Sequence, residues 1–128
     1  MVSPMSRQEA PSFKAGRFTH QMGLQNKWFD AIENGYKVFE LRLLDDKRQK
    51  IRVGDIIEFT AKDGRKTTRR VCALASAQTF ADLFKVIPFN LAACPDVKFQ
   101  EEMLSIMEEF YPVEKQEQLG VVAIGLTK

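Results

Sequence analysis

Apolar and polar residues alternate with period two in some stretches of the chain and recur every third or fourth position in others, and these two rhythms divide it into strands and helices. A short strand is predicted over Phe18 to Met22. A helix is predicted over Leu24 to Asn34, where Leu24, Trp28 and Ile32 recur every four residues. Asn34-Gly35 should end it, because glycine adopts the left-handed conformation without steric penalty. A strand from about Val38 follows, then a polar connection from Leu44 to Lys50. Val53-Gly54-Asp55 turns the chain into an alternating strand over Ile56 to Lys62. Asp63-Gly64 reads as a hairpin tip that pairs this strand with Arg65 to Ala73.

Thr79, with Asp82 three residues on, resembles a capping box and opens a helix to about Lys85 that buries Phe80, Leu83, Phe84 and Ile87; Pro88 stops it. A second helix is predicted from Asp96 or Val97 to Phe110. Its stripe of Phe99, Met103, Ile106, Met107 and Phe110 is assigned to the core, and Glu101, Glu102, Glu108 and Glu109 to solvent. Gly120 to Leu126 reads as a closing strand with too little polarity for an exposed edge. The order strand, helix, three strands, two helices, strand points to an α+β fold with a small, mostly antiparallel, barrel-like sheet and flanking helices. Residues 1–16, with Pro4, Pro11 and little periodicity, are expected to be a flexible N-terminal arm, leaving one domain over 17–128.

With 128 residues, 45% of them hydrophobic and 28% charged, a single core suffices. The formal net charge of +2 is too small to imply nucleic-acid binding, so any electrostatic argument must be local. No apolar run approaches the roughly 20 residues of a membrane helix, and nothing resembles a signal peptide, so a cytoplasmic location and no membrane partner are expected. Cys72 and Cys94 lie apart without a CxxC spacing and read as buried thiols. With His20 the only histidine and no GxGxxG, GxxxxGK[ST], HExxH or GxSxG, neither a metal nor a cofactor is expected.

One predicted strand breaks the rule that strand interiors exclude charge. The segment Gly35-Tyr36-Lys37-Val38-Phe39-Glu40-Leu41-Arg42 threads three ionisable groups through an otherwise apolar stretch. Burying such groups is costly unless they pair or meet a polar ligand. Period two puts Glu40 and Arg42 on one face and Phe39, Leu41 and Leu43 on the other. An amphipathic strand with an ion pair on its wet side fits this pattern, and so does a ligand cleft. In a cleft, Glu40 and Arg42 would stand roughly 7 Å apart at about 3.3 Å rise per residue, suited to different edges of one planar group such as a nucleobase. Lys37 would reach a phosphate or act as base or nucleophile, and Tyr111 would stack on a base. Strict alternation places Lys37 opposite Glu40 unless a turn or bulge at Tyr36 re-aims it. Around the hairpin tip stand Lys62, Arg65, Lys66, Arg69 and Arg70, five cations in nine residues. They suit either an edge guarded against mispairing or a patch that attracts the phosphates of RNA.

Taken together, Trp28, Ile32, Gly35-x-Lys37-x-x-Glu40-x-Arg42, Asp46-Lys47-Arg48, Ile51-x-Val53-Gly54-Asp55-x-Ile57-x-Phe59, Phe110-Tyr111-Pro112 and Gly120-Val121-Val122-Ala123-Ile124 resemble the ASCH domain family. The resemblance runs from about His20 to Leu126. ASCH domains are similar to PUA domains, which implies a small β-barrel with flanking helices and a cleft beside it. The resemblance further implies binding of RNA, nucleosides or nucleotides and a role in RNA metabolism, with Lys37, Glu40, Arg42 and Tyr111 as ligand-binding residues. It also implies an alternative: a hydrolase on nucleosides or RNA, either a ribonuclease or similar to the amidohydrolases that deacetylate N4-acetylcytidine, with Lys37 and Glu40 catalytic. Those amidohydrolases carry a threonine where this chain has Glu40, and a carboxylate there keeps a neighbouring amine protonated. They also use a glutamate upstream of their late helix, for which the nearest carboxylate here is Asp96.

Overall fold

The computed structural model describes residues 18–127; the predicted N-terminal arm over 1–16 lies outside them. Five strands form one sheet: β1 (Thr19–Leu24), β2 (Phe39–Leu43), β3 (Ile56–Ala61), β4 (Lys66–Ala77) and β5 (Val121–Thr127), in the order β1-β3-β4-β5-β2. β3 and β4 are the predicted hairpin, in register from Ile56 opposite Arg70 to Thr60 opposite Lys66. β5 lies between β4 and β2, antiparallel to both. β1 pairs parallel with β3, so the sheet is mixed. It curls into a half-barrel with five flanking helices, the α+β, PUA-like arrangement implied by the resemblance.

The burial rhythm follows each strand's place in the sheet. In β3, buried Ile57, Phe59 and Ala61 alternate with half-buried Ile56, Glu58 and Thr60, as expected for one covered face. In β5, every residue from Val121 to Leu126 is buried, because the strand is central and covered on both sides. β2 also lacks a wet face: Glu40 and Leu41, which point opposite ways, are both buried. The ion pair therefore does not stand on a solvated strand face.

The helices are α1 (Asn26–Glu33), α2 (Asp46–Gln49), α3 (Phe80–Leu83), α4 (Gln100–Phe110) and α5 (Val113–Leu119), with one 3-10 turn at Phe89–Ala92. Leu24 is not the first turn of α1 but the buried end of β1; Trp28 and Ile32 do face the core. Gly35, with φ +83°, turns the chain away from α1 in the left-handed region that glycine tolerates. α2 lies within the predicted polar connection from Leu44 to Lys50. It has no buried residue and is held by Asp45, whose carboxylate accepts from the Arg48 amide at 3.0 Å. Thr79 caps α3 by accepting from the Asp82 amide at 3.2 Å, and Phe80, Leu83, Phe84 and Ile87 are buried as predicted.

Two predicted core positions and one thiol are corrected. α4 begins at Gln100, where Glu102 accepts from the amides of Lys98 and Phe99 at 2.8 and 2.9 Å. Phe99 thus has extended backbone outside the helical stripe and is 65% exposed, and Phe110 at the other end is 46% exposed. Met103 and Met107 between them are buried. Cys94 is buried, but Cys72 is exposed, beside the register irregularity between Val71 and Ala73 in β4. Among the described residues, no helix is long and apolar enough to cross a membrane.

Asp55 anchors the start of β3. Fully buried, it accepts from the amides of Phe18 and Arg52 at 3.1 and 2.9 Å and from His20 Nε2 at 2.7 Å. Burial alone would raise the acid's pKa, but these donors outweigh it and hold it below the ordinary value. The native protein therefore binds fewer protons than the unfolded chain in acid. Asp55 stabilises the fold fully above the unfolded value of about 3.9, and that contribution is lost as pH falls through the lower folded value. Asp55→Ala is expected to cost about 2–4 kcal/mol at pH 7, since it strands three donors. Urea unfolding at pH 7 and pH 3 should show a smaller acid loss in the variant than in the parent.

Candidate functional site

β1 and β2 are the two edges of the curled sheet, and side chains bridge them. From β2, Arg42 Nη2 donates to the carbonyl of Gly23 in β1 at 2.9 Å, and from α2 just beyond it Lys47 Nζ donates to Gln21 O at 3.4 Å. A cavity of about 540 Å³ opens here. One wall is the end of β1 with Gly23, Leu24 and Gln25; another is the end of the β3 region with Thr60, Ala61 and Lys62. Trp28 of α1 and Met103, Met107, Phe110 and Tyr111 of α4 and its exit supply apolar surface. Lys37, Glu40 and Arg42 form the charged part.

The sequence-predicted charges meet in one chain of contacts. Lys37 precedes β2, so strand alternation does not govern it, and its ammonium reaches forward to the first residues of the strand. Nζ donates to the carbonyls of Phe39 at 2.6 Å and Ala92 at 2.8 Å and lies 3.2 Å from Glu40 Oε1. Three acceptors match the three N–H bonds of an ammonium. The Trp28 ring lies 5.4 Å from the same nitrogen. The other oxygen of Glu40 accepts from Arg42 Nε at 2.7 Å. Glu40 and Arg42 therefore lean together rather than standing apart to grip separate edges of a guest.

Burial decides the electrostatics. Lys37 is 3% exposed and Glu40 5%. Desolvation pulls the Lys37 pKa below its ordinary value against the opposing pull of Glu40. For Glu40 the balance reverses: burial favours the neutral acid, but Lys37 and Arg42 together hold its pKa below the usual range. Glu40 is thus an anion between two cations. Two bonds use two of the five N–H donors of Arg42, whose guanidinium also lines the cavity.

Tyr111 follows α4, half-buried, with its ring 6.0 Å from Phe80 and 6.2 Å from Phe110. Burial raises its phenol pKa. Its backbone is held by Gln116 of α5, a buried amide that donates to Tyr111 O at 2.8 Å and accepts from the Phe80 amide at 2.9 Å. Sequence reasoning missed Gln116, which no local pattern marks.

The hairpin cations do not form one patch. Lys62 lines the cavity. Arg65 pairs with Asp30 at 2.7 Å and Asp63 at 3.0 Å, and Lys66 donates to Thr60 Oγ1 at 3.0 Å. Arg70 donates to the carbonyl of Gly54 at 2.7 Å. Arg69 is buried, donating to Thr67, Thr68 and the carbonyls at the end of α1. Inward Thr67, Arg69 and Val71 alternate with outward Lys66, Thr68 and Arg70, so adjacent cations part to opposite faces. Asp96 is exposed, 3.8 Å from Lys27, and is not among the residues lining the cavity. Gly23 was also overlooked. A glycine within a strand often marks close backbone approach, and a Cβ built there meets nothing within 4 Å. Among the described residues, no group of three or more His, Cys, Asp and Glu side chains could hold a metal ion.

A family model described as the ASCH domain matches residues 22–128. No curated protein matches the chain. Among solved structures, the hypothetical protein PH0355 superposes with a TM-score of 0.76 at 32% identity, over 84% of this chain and 96% of that one. The protein PF0455 from Pyrococcus furiosus gives a TM-score of 0.67 at 32% identity, over 84% and 94%. A serine-to-alanine mutant of ZmASCH from Zymomonas mobilis gives 0.58 over 89% of this chain and 70% of that one; at 14% identity this likeness concerns the fold alone.

Removing Lys37 leaves buried Glu40 with Arg42 alone, and removing the Glu40 charge leaves buried Lys37 without a counter-ion. Lys37→Met and Glu40→Gln are each expected to cost about 3–5 kcal/mol in urea unfolding. The double variant should cost less than the sum of the singles by about 0.5–3 kcal/mol, since the two side chains are in contact. Additive losses would show that the 3.2 Å pair contributes no coupling.

Proposed function

The chain belongs to the ASCH domain family, and on that premise we propose that it is a binding module for RNA or nucleotides in RNA metabolism, receiving a nucleobase in the cleft between its two edge strands. One observation carries this reading: a cavity of about 540 Å³ combines apolar and aromatic walls with the Glu40–Arg42 pair. That volume falls within the roughly 300–1,000 Å³ usual for small-ligand sites, where a few polar groups orient a mainly apolar guest. A nucleobase has flat apolar faces and polar edges. Trp28, Met103, Met107 and Tyr111 suit the faces. The bonded Glu40–Arg42 pair offers a single polar edge, on which Arg42 keeps donors for a base acceptor or a phosphate and the carboxylate keeps lone pairs for an exocyclic amine. Lys62 adds a cation beside them.

The state of Lys37 favours binding over hydrolysis. A nucleophile or base needs a lone pair, yet the Lys37 nitrogen is surrounded by two carbonyl oxygens and a carboxylate, each of which wants an N–H. Deprotonation would set the new lone pair against an oxygen. Lys37 is accordingly a structural cation that positions Glu40.

Calorimetric titration with cytidine and adenosine 5′-monophosphates tests the reading. Binding is expected, with a nucleotide-dependent rise in unfolding temperature. Gly23→Leu should abolish binding while leaving the unligated unfolding temperature within a few degrees, because the new side chain enters open space. Incubation with N4-acetylcytidine should release no cytidine. Turnover that disappears in Lys37→Ala would replace the binding module with a hydrolase, and a parent protein that binds no nucleotide would overturn the proposal.

A further inference from the structure

We infer that the cleft accepts a stretch of single-stranded RNA rather than a free nucleoside, with Phe110 as the stacking platform for the base next to the one held inside. The inference rests on the base-binding reading above and extends it by one nucleotide. Its starting point is the contrast along α4: Met103 and Met107 are buried, whereas Phe110, which lines the same cavity, is left 46% exposed. The helix ends here, and Tyr111 takes an extended backbone with φ −139° and ψ 96°. Two consecutive rings are thereby sent different ways. Tyr111 turns in toward Phe80 at 6.0 Å, and Phe110 stays at the mouth, 6.2 Å from Tyr111 and inclined by 43°. One ring serves the interior of the cleft and the next serves its lip.

Charge supplies a second, independent observation. Lys37 and Glu40 offset each other within the cleft wall, which leaves the charges of Arg42 and Lys62 along the cavity. A neutral nucleoside leaves that excess uncompensated, whereas a phosphodiester linking an inner base to an outer one answers it. An apolar peptide covering Phe110 would not. At Gly23, on another wall, a Cβ would meet nothing within 4 Å, so the cleft is open there as well. Stacking on an aromatic ring tolerates any base, so the geometry points to recognition of unpaired RNA with little sequence preference at the outer position.

Titrations of the full chain with a nucleoside 5′-monophosphate, a dinucleotide and a hexanucleotide, each at two salt concentrations, test this. The dinucleotide is expected to bind at least about tenfold more tightly than the mononucleotide, with affinity falling as salt rises. Phe110→Ala should weaken dinucleotide binding by about 5- to 100-fold and mononucleotide binding by distinctly less. Phe110→Leu, which keeps apolar bulk without a π face, should behave like the alanine variant. Phe99→Ala, an exposed ring outside the cavity, should alter neither affinity. Equal affinity for mononucleotide and dinucleotide, or a dinucleotide affinity indifferent to Phe110, would overturn the inference and leave the base-binding reading standing. Failure of every nucleotide to bind would remove both.

Discussion

A carboxylate held between two cations, almost out of reach of water, is the interaction on which the rest of this structure depends. Any one of Lys37, Glu40 and Arg42 would be costly to bury alone. Together they form a chain in which each charge faces its opposite and the ammonium also meets two main-chain carbonyls. The chain has a mechanical consequence. β1 and β2 are the ends of the sheet, and Arg42 spans them through Gly23 O, while Lys37 ties the entry of β2 to Ala92 in the 3-10 turn. The open side of the half-barrel is therefore joined by side chains, which can leave a cavity between strands where a backbone ladder would leave none.

That cavity draws its walls from segments far apart in the chain. Trp28 comes from α1, Lys62 from beyond β3, and Met103 and Met107 from α4. Tyr111 owes its position to a residue that never touches the cleft: Gln116 bonds both to Tyr111 and to Phe80, locking the exit of α4 onto the start of α3. A cavity so braced holds its donors and rings in place, which would lessen the freedom lost on binding a guest. The same bracing extends to Lys37, whose ammonium meets three acceptors.

Much of the fold was legible from local chemistry. The Asp63-Gly64 hairpin, the Thr79 cap, the stop at Gly35 and the unbroken apolar run of β5 each follow from turn, cap or burial rules acting within a few residues. The charged motif also drew notice to residues that meet beside a cavity, because ionisable groups in an apolar strand demand an explanation wherever they occur. Local rules failed where a neighbour from elsewhere decided the outcome. Leu24 belongs to a strand because β3 pairs with it, in spite of its helical spacing with Trp28. Phe99 left the helical stripe because Glu102 captured the backbone just before α4. Cys72 fell outside because of an irregular register between β4 and β5.

By itself, then, the order of residues determined most of the strands and the helices α1, α3 and α4, which glycines turn the chain, and that three charges in one apolar segment must find partners. Tertiary structure alone decided that those partners are one another, that Arg69 points inward while Arg70 points out, and that Lys62 rather than the whole hairpin tip reaches the cleft. The physical reason is range. Backbone preference and hydrophobic period act over a few residues, whereas the burial of a charge, and the acceptor that makes it tolerable, depend on segments such as Ala92 and Gly23 that meet it only when the chain is folded.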